Sequence, residues 1–255
     1  MDLDLAGKVI LVAGSSRGIG KAIAASLLAE GARVCISGRD PLSLTSTQRE
    51  LSQGGPVLAY EGDLSLLEPI VGALEMIAAK WGALHGLVCN IGTGTGTPGW
   101  DPREEEWERL LRFNFQASVR LAQAAIPKLA ESRGSSIVFV SSITGVEATA
   151  APLPYSAAKA ALLNYSKNLS RHLAGQGIRV NCVAPGNILF PGGSWERRLN
   201  DQPDTTREYV EAEVPMKRLG TPDEIASLVT FLCSVRASFI TGSCFVSDGG
   251  QTRSL

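Results

Sequence analysis

Cysteine is sparse and scattered: five residues, at 35, 89, 182, 233 and 244, with no CxxC pair. An odd number of widely spaced cysteines, mostly inside apolar runs, argues against a disulfide framework or a zinc site. It fits buried, reduced thiols in a cytoplasmic protein. Histidine is rarer still, and His85 and His172 stand alone, so both are read as structural and no metal site is expected. No apolar run approaches the roughly 18 residues of a membrane span. The start, Met1-Asp2-Leu3-Asp4-Leu5, has neither the basic region nor the apolar stretch of a secretory leader. Neither charge sign dominates: 24 Lys and Arg face 25 Asp and Glu, a formal net charge of -1. Bulk electrostatics therefore give no basis for a nucleic-acid or anionic-membrane partner. No internal repeat or low-complexity linker is present.

What is present is an ordinary globular composition, 44% hydrophobic and 19% charged over 255 residues. Short β-branched runs alternate with longer amphipathic stretches. Strands are expected at Val9–Ala13, Arg33–Ser37, Val57–Tyr60, Gly86–Cys89, Ile137–Ser141, Arg179–Ala184 and Cys244–Ser247. Helices are expected at Ile19–Ala29, Pro41–Gln53, Glu104–Ser132 and Tyr155–Ala174, and after the capping signal Thr221-Pro222-Asp223-Glu224. The alternation predicts βαβ units with right-handed crossovers. The expected fold class is therefore α/β: a single-domain, Rossmann-type, doubly wound parallel sheet in three layers. One domain over residues 1–255 is expected, with 186–214, rich in Gly, Pro and charge, as an irregular insertion that is either functional or disordered.

Two local patterns carry chemistry. Gly14-Ser15-Ser16-Arg17-Gly18-Ile19-Gly20 follows the first strand and opens a helix. Glycines let the backbone approach a pyrophosphate, and the helix N-terminus supplies free N–H donors. The absence of a following GK[ST] argues against a P-loop nucleotidase. In Tyr155-Ser156-Ala157-Ala158-Lys159, residues four apart share a helix face. A cation beside a phenol is expected to lower the phenol's pKa and suit it to proton transfer. On its own this pair is also what a solvated helix face looks like.

With these motifs in place, the chain resembles the short-chain dehydrogenase/reductase family along its full length, particularly members similar to 3-oxoacyl-carrier-protein reductases. Gly14, Gly18 and Gly20 match the family's TGxxxGxG, with Ala13 for threonine, and Cys89-Asn90-Ile91-Gly92 looks like a variant of NNAG. The resemblance implies a catalytic set of Asn114, Ser142, Tyr155 and Lys159, with Ser141 a rival for Ser142. Tyr155 would be the general acid or base, Lys159 would support it and bind the nicotinamide ribose, and Ser142 would polarise the substrate oxygen. Asn114, able to open its helix locally, would hold a proton-relaying water. Cofactor contacts are implied at Gly14, Ser16, Arg17, Gly18, Ile19, Gly20, Asp63, Leu64, Asn90, Tyr155, Lys159, Pro185, Gly186 and Ile188. The family threonine after the PG motif falls at Phe190, so its contact must be replaced or lost.

The implied activity is interconversion of a carbonyl and a secondary alcohol with NAD(P)(H), on a small-molecule substrate such as a 3-oxoacyl thioester. Asp40 lies at the distance of an NAD ribose carboxylate, but it precedes Pro41 and reads better as a helix cap. Ser37-Gly38-Arg39 offers no carboxylate, and Arg39 with Arg17 could clamp a 2′-phosphate, or else be solvated charges. NADP(H) is favoured, with NAD(H) possible. Segment 186–214 occupies the place of the family's substrate lid. In it Trp195 and Tyr209 would line a pocket or anchor the lid, and Arg197, Arg198 and Arg207 would attract an acidic substrate or face solvent. The loop Thr93–Gly99 is expected to be flexible and to border the cleft. The resemblance also implies a homotetramer. The alternative is a non-catalytic nucleotide-sensing or subunit-stabilising protein on the same fold.

Overall fold

Four strands, β1 (Val9–Ala13), β4 (Gly86–Cys89), β5 (Ser136–Val140) and β6 (Arg179–Pro185), are buried at every position. That is possible only if both sheet faces are covered. The computed structural model, which describes residues 2–254, adds β2 (Arg33–Gly38), β3 (Val57–Glu61) and β7 (Cys244–Ser247) in the order β3-β2-β1-β4-β5-β6-β7. Every pairing is parallel. Side chains alternate between faces. Val9, Leu11 and Ala13 join α3 (Leu67–Trp81), α5 (Ala117–Ala130) and α6 (Leu153–Leu173) in one core. Ile10 and Val12 join α1 (Gly18–Ala29) and α9 (Pro222–Cys233) in the other. The three expected layers are therefore present. The chain winds outward from β1 through β2 to β3, then returns to β4 beside β1. The crevice above the carboxyl ends of β1 and β4 is thus the topological switch point, where such sheets bind ligands.

The expected elements are found with small shifts and three physical corrections. Asp40 caps α2 (Pro41–Leu51), accepting from the Leu42 and Ser43 amides, and the Thr221 amide donates to Glu224 at the start of α9. The strand expected at Ile137–Ser141 starts one residue earlier, because Ser136 pairs with Gly86 and Arg179 while Ser141 leaves the ladder. The helix expected over Glu104–Ser132 is not continuous. It consists of α4 (Glu104–Leu111), a π turn at Arg112–Gln116, and α5.

The third correction concerns 186–214, which is largely helical: α7 (Ser194–Asp201) and α8 (Pro203–Glu213). These helices bury little, Thr206 and Val210 in α8 and nothing in α7, so no apolar period marks them. They are held to each other instead. The Trp195 and Tyr209 rings stack at 5.5 Å, Arg198 lies over both, and Thr206 donates to the Arg198 carbonyl. All five cysteines are free; four are buried, and Cys244 on the edge strand is exposed. Among the described residues no helix is long and apolar enough to cross a membrane, and no group of three or more His, Cys, Asp or Glu could hold a metal.

Buried Arg179, at the start of β6, donates to the carbonyls of Leu232 (2.8 Å) and Ser234 (3.0 Å) at the end of α9. Arg179→Met would keep the apolar stem but strand two buried acceptors. We expect a loss of about 2–3 kcal/mol, read as a lower urea midpoint at unchanged m-value. A midpoint equal to that of the parent chain would show that the pairing contributes nothing.

Candidate active site

The glycine loop leaves β1 through Gly14, whose φ of +68° is left-handed. Its carbonyl accepts from Asn90 Nδ2 at 2.8 Å, which ties the ends of β1 and β4 together. A Cβ on Gly20 would collide with the Gly14 carbonyl oxygen and sit 2.6 Å from Asn90 Nδ2, so only glycine lets α1 approach this closely. The N-terminus of α1 has no side-chain cap and no acid in its first turn, whereas Asp40 caps α2. An uncapped helix start beside a Cβ-free loop fits a pyrophosphate. Around it, Ser16 packs against Gly38, Ile19 joins the core, Asp63 accepts from the Ser65 amide, and Leu64 is buried.

The four expected catalytic side chains converge beside this loop. Tyr155 and Lys159 lie one turn apart on α6, with Lys159 Nζ 5.8 Å from the centre of the Tyr155 ring. Nζ donates to the Val140 carbonyl at 2.9 Å. Ser142 caps the short turn Ile143–Gly145, accepts from the Thr144 amide, and hydrogen-bonds the Tyr155 phenol. Its rival Ser141 is committed elsewhere, donating to the Lys159 carbonyl at 2.9 Å. Asn114 sits fully buried in the π turn. Its Oδ1 accepts from the Thr93 amide (2.9 Å), and its Nδ2 donates to the carbonyls of Thr93 (3.1 Å) and Leu110 (3.0 Å). Both amide hydrogens are thus used, and the side chain clamps Thr93. A Cβ on Gly92 would fall 2.6 Å from Asn114 Oδ1 and 3.4 Å from Lys159 Nζ, so Gly92 marks the point where these groups meet.

The electrostatics correct one expectation. The Tyr155 phenol is raised, not lowered: burial disfavours phenolate, and the Ser142 hydrogen bond offsets this only in part. Lys159 does not act on the phenol oxygen because its ammonium is directed at the Val140 carbonyl. Burial also brings Lys159 down to about 8, with Cys182 pulling weakly the other way. The resting pair is a protonated phenol beside a lysine that titrates just above neutrality.

Several contacts lie outside every sequence motif. Gln251, in the tail after β7, accepts from Asn187 Nδ2 (2.8 Å) and donates to Tyr209 Oη (2.7 Å). It thereby joins the loop after Pro185 and Gly186 to α8. Glu147, just past Ser142, accepts from the amides of Arg253 and Ser254. The Thr93–Gly99 loop, expected to be flexible, is tied to α4: Glu106 accepts from the Thr97 amide and Arg109 donates to the Thr95 carbonyl. Ile188 is buried and bridges to Gly220. Phe190 lies over the glycine loop, its ring 2.7 Å from where a Gly18 Cβ would be. Arg17 donates to the Gly192 carbonyl at 3.3 Å. Arg39, expected to clamp a phosphate with Arg17, lies over Phe113. Of the arginines expected to attract substrate, Arg198 covers Trp195 and Tyr209, and Arg207 pairs with Asp204.

Known proteins resemble the chain over nearly its whole length. A family model described as enoyl-(acyl carrier protein) reductase matches residues 13–252. The chain is 36% identical over 247 residues to 3-oxoacyl-[acyl-carrier-protein] reductase FabG of Salmonella typhimurium, covering 96% of this chain and 97% of that protein. It superposes on L-sorbose reductase from Gluconobacter frateurii, solved with NADPH and L-sorbose, with a TM-score of 0.94 at 32% identity and complete coverage of both chains. The Pseudomonas aeruginosa RhlG/NADP complex gives 0.90 at 32% identity, covering 98% of each.

The depressed Lys159 has a measurable consequence. An unfolded lysine keeps its proton to about pH 10.4, whereas the folded one releases it near 8. Between those values the unfolded chain binds more protons, so this residue adds stability as pH rises, in total roughly 3 kcal/mol. Buried thiols act oppositely: with Cys35 raised to about 12 and Cys233 to about 11, the unfolded chain releases protons first and stability falls at high pH. Lys159→Met isolates the lysine. Its stability relative to the parent should decline by roughly 3 kcal/mol from neutral pH to about pH 10 in urea unfolding. A difference independent of pH would refute the depressed pKa.

Proposed function

The chain belongs to the short-chain dehydrogenase/reductase family, and from that premise we propose that it is an NADP(H)-dependent oxidoreductase interconverting a carbonyl and a secondary alcohol. One observation carries this reading: Ser142, Tyr155 and Lys159 converge with Gly92 and Asn114 beside an uncapped, glycine-lined helix start. When bound, NADP(H) supplies or accepts the hydride at the reacting carbon. The raised phenol of Tyr155 donates its proton to the carbonyl oxygen, and Ser142 donates a hydrogen bond to the same atom as charge develops there. Lys159 has three donor hydrogens and one protein acceptor, the Val140 carbonyl, which leaves capacity for the ribose hydroxyls. Titrating near 8, it is also suited to return a proton towards Tyr155. Asn114 acts through Thr93, holding the exit of β4 against Lys159.

The phenol is held in its acid form, the form that protonates the carbonyl oxygen in the reductive direction. Gly14, Ser16, Gly18, Gly20, Asn90 and the Pro185–Ile188 turn hold the cofactor, with Asp63 and Leu64 at the adenine and Arg39 at the 2′-phosphate. The carboxylate-free end of β2 supports NADP(H) over NAD(H), as do the relatives that bind NADPH or NADP. Helices α7 and α8 form a substrate lid within a single domain. The first substrate class to test is a 3-oxoacyl thioester, as for the FabG relative. We place the protein in the cytoplasm as a homotetramer. The apolar edge of β7, with Val246 41% exposed, supports further association.

The test is an NADPH-oxidation screen over 3-oxoacyl thioesters, keto sugars, cyclic ketones and steroids, run beside Tyr155→Phe. We expect turnover with at least one class. In the variant kcat should fall by roughly 10³-fold while the NADPH Kd stays within about twofold. Bound NADPH with no oxidation on any carbonyl would overturn the enzymatic reading, and near-parental rates in the variant would remove Tyr155 from the chemistry.

A further inference from the structure

Two guanidiniums share one aromatic ring at the nucleotide end of the crevice. Arg39, leaving β2, has its Cζ 5.3 Å from the Phe113 ring centre, and Arg112, in the π turn, has its Cζ 4.8 Å from the same point. Both arginines are exposed and Phe113 is half-buried. Among the described residues neither guanidinium enters an ion pair, although Lys21, Lys128, Arg207, Lys217, Arg218 and Arg253 all do. The carboxylates nearest by register are Glu61, beside Gly38 on β3, and Glu108, one turn before Arg112; neither reaches salt-bridge distance of them. Asp40, next to Arg39, is spent on the start of α2. Two like charges therefore lie against one ring with no carboxylate partner to neutralise either. Such an arrangement is completed by a multiply charged anion.

Arg39 leaves the strand end that meets the adenosine ribose in sheets of this kind, where an arginine accommodates a 2′-phosphate. We propose that Arg112 is the second cation of the 2′-phosphate site, in place of Arg17, and that Phe113 is a positioning residue that aims Arg39 and Arg112 at it. The inference rests on the NADP(H) reading above and deepens it. It also gives the π turn two tasks. Asn114 faces inward to clamp Thr93, while its neighbours Arg112 and Phe113 carry the discrimination between cofactors. Arg17, held by the Gly192 carbonyl, belongs to the lid side of the loop.

The proposal is tested by binding alone. NADPH, NADH, 2′,5′-ADP and 5′-AMP are titrated against the parent chain, Arg112→Ala, Phe113→Leu and Phe113→Tyr, with heat or intrinsic fluorescence as the signal. We expect Arg112→Ala and Phe113→Leu each to weaken NADPH and 2′,5′-ADP by about tenfold. NADH and 5′-AMP should stay within about twofold, and Phe113→Tyr should restore parental binding. The salt dependence of NADPH binding should also be shallower in Arg112→Ala. If Phe113→Leu and Arg112→Ala keep the parental NADPH-to-NADH ratio while the parent prefers NADPH, the inference fails and the NADP(H) reading stands. Equal weakening of NADPH and NADH by Phe113→Leu would make the ring a structural wall and also overturns its positioning role. A parent chain that binds NADH as tightly as NADPH removes the NADP(H) reading itself. Arg112 is exposed and enters no ion pair among the described residues, so removing its guanidinium reports on charge while leaving the Phe113 ring in place.

Discussion

The cleft depends on one seam, the hydrogen bond from Asn90 Nδ2 to the Gly14 carbonyl at 2.8 Å. β1 and β4 are neighbours in the sheet yet far apart in the chain, because the winding direction reverses between them. From the β1 side comes the nucleotide loop. From the β4 side come Gly92 and Thr93, against which Asn114 and Lys159 are set. Gly20 leaves no room for a side chain between the two halves. The spacing between the glycine loop and the cluster of Gly92, Asn114 and Lys159 is thus fixed by sheet register and one amide, elements with almost no freedom to relax. Such rigidity is what hydride and proton transfer to adjacent atoms demand, since small misplacements are costly in rate.

That rigidity is used to keep polar groups where they are unfavourable. Asn114 is wholly buried and Lys159 is 4% exposed. Asn114 is reconciled to its site by three hydrogen bonds, and the π turn exists because its side chain takes the Leu110 carbonyl that a regular turn would have used. Lys159 is less well served, with a single protein acceptor, and its charge is destabilised accordingly. The layers on both sides of the sheet supply the burial that tolerates this imbalance. On the reading proposed above, a ribose satisfies the unmet hydrogen-bonding capacity of this one lysine.

The sheet was legible because parallel strands buried on both faces are continuous β-branched runs: β1, β4 and β7 fall at the residues their composition predicts. β5 slips by one residue, since Ser136 and Ser141 are equally neutral and only pairing with Gly86 and Arg179 distinguishes them. Asn114, Ser142, Tyr155 and Lys159 were legible as a set through their family order, and the structure brings them together while the Ser141 hydroxyl donates to the Lys159 carbonyl. α7 and α8 were not, because they rest on a stacked aromatic pair and not on an apolar stripe. Nor was the Tyr155 pKa: spacing along a helix brings a lysine near, but burial and the direction of its Nζ set the sign. Gln251, Glu147, Arg112 and Phe113 lie in no motif, and their roles arise from partners distant in the chain.

The same contrast accounts for where specificity resides. The reacting groups are anchored to fully buried strands and to each other, so their geometry cannot drift without breaking the core. On the reading proposed above, the walls that meet a substrate are the Thr93–Gly99 loop, α7 with α8, and the tail at Gln251–Ser254. Each is held by a few peripheral hydrogen bonds, those of Glu106 and Arg109, of Gln251, and of Glu147. Segments with so few buried contacts lie at the low end of local stability and can be rebuilt without disturbing β1, β4 or α6. A sheet that fixes the chemistry and a rim that is energetically cheap to change will diverge at different rates. It is then expected that a 3-oxoacyl thioester reductase and a sugar reductase are both similar to this chain over nearly its whole length. Its own substrate is written in the rim, and its reaction in the seam.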